Sequence, residues 1–129
     1  MTMLGRRAFV AGAAALTVGG PAVAAFQEGE GMFGLIGKMR AAAGERDALI
    51  ALLLEGSGRM PGCLSYIVAK DATDADAVWI TEVWDSRDSH RAALQLPEVR
   101  AVIARARPLI AGFESGTETE PVGGVGLAR

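Results

Sequence analysis

Residues 63–84 constrain the fold more than any other stretch. Two strand-like runs, CLSYIVAK (Cys63–Lys70) and VWITEVW (Val78–Trp84), flank the turn-forming segment DATDAD. The second run is dense in β-branched and aromatic residues, which suit a pleated surface. This hairpin stands between two helix-like stretches. Upstream, Ala43-Gly44-Glu45 opens a helix with an acidic first turn. Leu49, Leu52 and Leu53 give it an apolar face, and Gly56, Gly58 and Pro61-Gly62 close it. Downstream, Asp85 or Ser86 can cap a helix by accepting a main-chain N–H bond. Pro97 breaks that helix and suits the first turn of a second piece. Val99, Val102, Ile103 and Ala106 then recur at helical spacing, and Pro108 ends the run.

A strand precedes this block, from alternation in Met32–Ala41, and another follows it, over Leu109–Glu120. The order is therefore β-α-β-β-α-β, which in one domain is the α+β, ferredoxin-like split βαβ arrangement. Both helices then cover one face of the sheet. The other face needs a cover, and a second copy would supply it, so a sheet-to-sheet homodimer is expected.

The chain has 129 residues, half of them hydrophobic, enough for one domain with a core. Thirteen basic residues against 15 acidic ones, without basic clusters, argue against a nucleic-acid surface. The single cysteine, Cys63, excludes an internal disulfide and heads an apolar strand, where an inert buried thiol is expected. No Cys/His cluster offers a zinc site, and no glycine-rich phosphate loop follows a strand.

The N-terminus reads as an address. Arg6 and Arg7 precede an Ala- and Gly-rich apolar run ending in Ala22-Val23-Ala24-Ala25, the layout of a cleavable signal peptide over residues 1–25. The pair resembles the twin-arginine export motif, although Gly5 and Ala11 stand where that motif has a hydroxyl residue and a lysine. Export, to a periplasm in particular, is expected, with no membrane attachment after cleavage. Residues 26–31 read as a linker, 32–120 as the domain, and 121–129 as a glycine-rich tail that could reach a partner.

The runs EVWDSRDSH, LPEV, RARPLIAGF and ETEPVGGVGL resemble the antibiotic biosynthesis monooxygenase family, including its quinol monooxygenase-like members, over roughly residues 32–127. Glu82-x-Trp84 followed by a helix is the most recognisable piece. The resemblance implies a ferredoxin-like dimer forming an α+β barrel. It also implies oxygenation of a small phenolic or quinol aromatic by O₂ without metal or flavin, hence no cofactor. The haem-degrading branch shares the strand Trp and the helical His. That branch, like the polyketide oxygenases, uses an asparagine, and this chain has none.

Five residues are candidates for the site. His90 shares a helix face with Ala93 and Leu94 and so points inward. It is either a satisfied core or capping histidine or, as the resemblance favours, a general base for a quinol hydroxyl. Trp84 is a core aromatic or a flat surface for a planar ring. Glu82 shares its strand face, and Arg107 is a plausible ion-pair partner for it; both are also candidate substrate contacts. Tyr66, in the middle of its strand, is packing or a hydroxyl donor to substrate. Trp79 lies on the opposite strand face and is expected at the dimer interface. The alternatives to turnover are a non-catalytic small-molecule binding dimer of the same fold and a haem-binding protein with His90 as axial ligand.

Overall fold

In the computed structural model the described residues are 31–127, so the expected export segment and nearly all of the linker lie outside them. The elements are β1 (Phe33–Ala41), α1 (Arg46–Gly56), β2 (Cys63–Lys70), β3 (Ala77–Trp84), α2 (Arg87–Ala93), α3 (Pro97–Ala106), a 3₁₀ turn (Arg107–Leu109) and β4 (Ile110–Thr119). Both β1 and β2 run antiparallel to β3, so β1 and β2 are parallel with β3 between them. The strand order β2-β3-β1-β4 is the ferredoxin-like α+β sheet.

Local chemistry explains the boundaries. Ser86 caps α2, its side chain accepting from the Ser89 N–H. Pro97 occupies the first turn of α3. The acidic start expected for α1 is present in Asp47, but Glu45, at the N-cap, makes no side-chain capping bond. Gly62 turns the chain into β2 at φ +87°, and a Cβ there would overlap the Ser89 side chain, so this corner needs glycine.

Alternation divides the sheet. Val78, Ile80, Glu82 and Trp84 face the helices, as do Phe33, Leu35, Met39 and Ala41 of β1 in register with them. The helix layer buries two apolar clusters. One, around Ala41, Leu49, Val78, Ile80 and Ala106, lies between α1, α3 and the sheet. The other, Phe33, Trp84 and Ala93, lies at the far end of the same face. Within α3, Val99, Val102 and Ala106 are buried, whereas Ile103 is only half-buried.

The opposite face is mixed. Ile36 and Ile67 are exposed there, the latter by 56%. Toward one end, Lys38 pairs with Asp71 and Glu114, and Arg40 pairs with Asp74 and Glu114. A register shift in β4 between the partners of Lys38 and Met39 leaves Glu114 out of the ladder and serves this cluster. Among the described residues no helix is long and apolar enough to cross a membrane.

Candidate active site

Glu82 interrupts the apolar face of β3 between Ile80 and Trp84, and so stands in the gap between the two buried clusters. A cavity of about 110 Å³ opens there. Tyr66, Glu82 and Trp84 form its sheet side, and His90, Leu94 and Val102 are among its helix-side walls. Tyr66 and Glu82 are direct cross-strand partners, so β2 and β3 deliver them side by side.

The polar groups are organised around the Glu82 carboxylate. Trp84 donates its indole Nε1–H to Glu82 Oε1 at 2.8 Å, a bond open to residues two apart on one strand face. His90 Nε2 lies 3.9 Å from the same oxygen, with both side chains about four-fifths covered. The imidazole is held by rings on two sides. Trp84 meets it edge-on at 5.4 Å between centroids, and Phe33 lies tilted against it at 5.3 Å. Arg87 in turn covers Phe33 at 4.3 Å and forks onto Glu118 with two hydrogen bonds. Burial, reinforced by the negative charge of Glu82, keeps the Tyr66 hydroxyl protonated far above neutral pH. The wall therefore presents a neutral hydroxyl, a carboxylate and an imidazole to an otherwise apolar space.

Four of the five sequence candidates meet here: His90, Trp84, Glu82 and Tyr66. Arg107 does not. It follows α3 on an exposed side of that helix, away from the inward stripe, and the partners of Glu82 are Trp84 and His90. The proposed Glu82–Arg107 ion pair is thus replaced by a carboxylate–imidazole approach. Trp79 lies on the open face, as alternation requires, donating Nε1–H to Asp71 Oδ2 at 2.8 Å beneath Lys38. Cys63 is half-buried, and burial pushes its thiol up, so it is a poor nucleophile.

Sequence reasoning overlooked Phe33 and Met60. Phe33 faces Trp84 directly across β1 and β3, a pairing that only the register reveals. Met60 lines the cavity from the loop after α1. Among the described residues no three His, Cys, Asp or Glu side chains gather as metal ligands.

Solved structures reproduce this fold. The cofactor-independent oxygenase SnoaB from Streptomyces nogalater shares 16% identity over 74% of this chain and 97% of its own, with a TM-score of 0.60. A protein from Deinococcus radiodurans named for antibiotic biosynthesis monooxygenase shares 26% identity over 72% of this chain and 95% of its own, also at 0.60. The Chloroflexus aurantiacus protein of the same designation is 63% identical over 75% of this chain and 99% of its own, with a TM-score of 0.74. No curated protein matches the chain. The antibiotic biosynthesis monooxygenase profile matches residues 32–105, which include the whole Tyr66, Glu82, Trp84 and His90 constellation, and the chain belongs to that family.

Proposed function

We propose that the protein oxygenates a small phenolic or quinol aromatic, with His90 as the base. The observation that carries this reading is the approach of His90 to Glu82 in the wall of an apolar cavity. A substrate hydroxyl entering the cavity gives its proton to the imidazole. The Glu82 carboxylate, held by the Trp84 N–H, stabilises the imidazolium that results, and the long 3.9 Å separation is of the kind that tightens when substrate binds. Tyr66, as a protonated hydroxyl, donates a hydrogen bond to the phenolate oxygen. The deprotonated quinol reduces O₂ itself. One oxygen atom ends on the ring, the other leaves as water, and the quinol becomes a hydroxyquinone, so atoms and electrons balance without a further reductant.

The test is dissolved-oxygen uptake by the full chain with naphthohydroquinones and anthrones, chelator present, against the autoxidation blank. Uptake above the blank that is lost in His90→Ala supports the reading. Uptake that survives in the variant removes His90 as base, and no uptake with any substrate leaves a binding protein.

A homodimer formed through the open sheet face is part of the same proposal, supported by exposed Ile36 and Ile67 on that face. Light scattering that gives the mass of a single chain would overturn it. Export through the Arg6-Arg7 segment is proposed from the sequence alone, and the N-terminal sequence of the protein recovered from cell fractions tests it.

A further inference from the structure

The proposed chemistry leaves Arg107 unused, but the residue lines a second hollow. A groove of about 400 Å³ lies beside the cavity, lined by Leu94, Gln95, Arg100, Ile103, Ala104 and Arg107. Leu94 and Ile103 line the cavity as well, so these two side chains are the partition between them. Arg107 retains helical backbone angles at the end of α3. It therefore stands two turns beyond Arg100 on one helix face, about 10 Å along the axis, a span that two long guanidinium side chains can close between them.

These arginines differ from the others. Arg40, Arg87, Arg91 and Arg105 pair with carboxylates, and Arg46 donates to the main-chain carbonyls of Asp74 and Ala77. Among the described residues Arg100 and Arg107, together with Arg59 in the loop after α1, have no such partner. No acidic side chain lines the groove. The groove thus holds two positive charges with no acidic side chain in its lining, and Gln95 adds a neutral donor and acceptor to the same lining.

Size points the same way. Sites for drug-sized molecules enclose roughly 300–1,000 Å³. The cavity, at about 110 Å³, takes one part of such a molecule, and the groove on the other side of Leu94 and Ile103 has room for the remainder. Leu94, at 41% exposure, is the less covered part of that partition. Resting on the proposed function, we infer that the substrate is an aromatic hydroxy-acid: its hydroxyl ring end enters the cavity, and a carboxylate at the far end is gripped by Arg100 and Arg107. The planar guanidinium fork matches a carboxylate with two parallel hydrogen bonds.

Isothermal titration of the full chain with 2-naphthol and with 6-hydroxy-2-naphthoate tests this. The two probes share ring and hydroxyl and differ only in the carboxylate opposite. The naphthoate should bind at least tenfold more tightly, and added salt should weaken that preference. Arg100→Gln combined with Arg107→Gln should abolish the preference while leaving the naphthol affinity within twofold, and circular dichroism confirms that the variant is folded. Equal binding of both probes to the native protein, or a preference that survives in the double variant, overturns the arginine clamp and leaves the proposed function standing. Binding of neither probe overturns both.

Discussion

The two tryptophans of β3 make the same bond in opposite settings. Each donates its indole N–H to a carboxylate at 2.8 Å, Trp84 to Glu82 on the helix-covered face and Trp79 to Asp71 on the open face. Asp71 is saturated. It accepts from the Thr73 main chain, the Trp79 indole and the Asp74 main chain, and it faces Lys38. The Thr73 main-chain bond is the foremost of the contacts that hold its carboxyl far below the usual range, and the group is a fixed structural anchor. Glu82 has one strong hydrogen bond, a histidine at 3.9 Å and an apolar cavity in front of it. The difference shows that a Trp–carboxylate pair is not in itself a functional mark. What matters is whether the carboxylate has capacity left and a second titratable group within reach.

The largest effect that sharpens this contrast is on turnover. His90→Ala should lower oxygen uptake on the order of 10²–10⁴-fold, the usual contribution of a positioned base, with the fold retained by circular dichroism. Stability should then separate the tryptophans. Trp84 is 1% exposed in a cluster with Phe33 and Ala93, so Trp84→Ala should cost about 3–5 kcal/mol in urea unfolding. Trp79 is only half-buried, and Trp79→Ala should cost roughly 1 kcal/mol, the centre of the range for single substitutions. Costs that match would break the comparison.

Gly62 gives a smaller test of the junction that carries His90. Gly62→Ala forces a side chain into the left-handed region against Ser89, and a loss of about 1–2 kcal/mol is expected, with reduced uptake because α2 must shift. The smallest effect is the response to acid. Asp71, Asp74, Glu114 and Glu118 are all held below their ordinary values, the last three foremost by hydrogen bonds from Arg40 or Arg87. Depressed carboxylates stabilise the fold fully above the unfolded value of about 4, and this stability is lost as pH falls through the lower folded values. Unfolding midpoints in urea should therefore hold steady from neutral pH down to about 5 and fall below about 4. Salt should weaken the same contribution, most at the exposed Arg87–Glu118 pair and less at the partly covered pairs of Arg40 and Lys38. A midpoint insensitive to acid would show that these four carboxylates do not stabilise the fold.

The strands were legible because their periods are clean. VWITEVW and CLSYIVAK run where alternation puts them, and β1 and β4 differ from expectation by one residue at their ends. The same alternation set Glu82 and Trp84 on one face and Trp79 on the other. Helical spacing turned His90 inward with Ala93 and Leu94. The Glu82–Arg107 ion pair, inferred from charge alone, does not form. One residue past buried Ala106, Arg107 is turned about 100° from that side chain, to the side of the buried α3 positions. Phe33 was missed because its role depends on pairing with Trp84 across strands far apart in sequence, which no local pattern encodes. The cavity follows from Glu82 separating two apolar clusters, a property of packing that appears only once the helices are in place.

In the proposed chemistry the helix-face carboxylate acts on the histidine, and the open-face carboxylate only holds the fold. One paired measurement tests it: oxygen uptake with a naphthohydroquinone by Glu82→Gln and by Asp71→Asn, each the same neutralisation beside a tryptophan. The account predicts that Glu82→Gln loses at least tenfold in kcat/KM and that Asp71→Asn retains native uptake while losing stability at neutral pH. Equal losses in the two variants, or native uptake in Glu82→Gln, would contradict it.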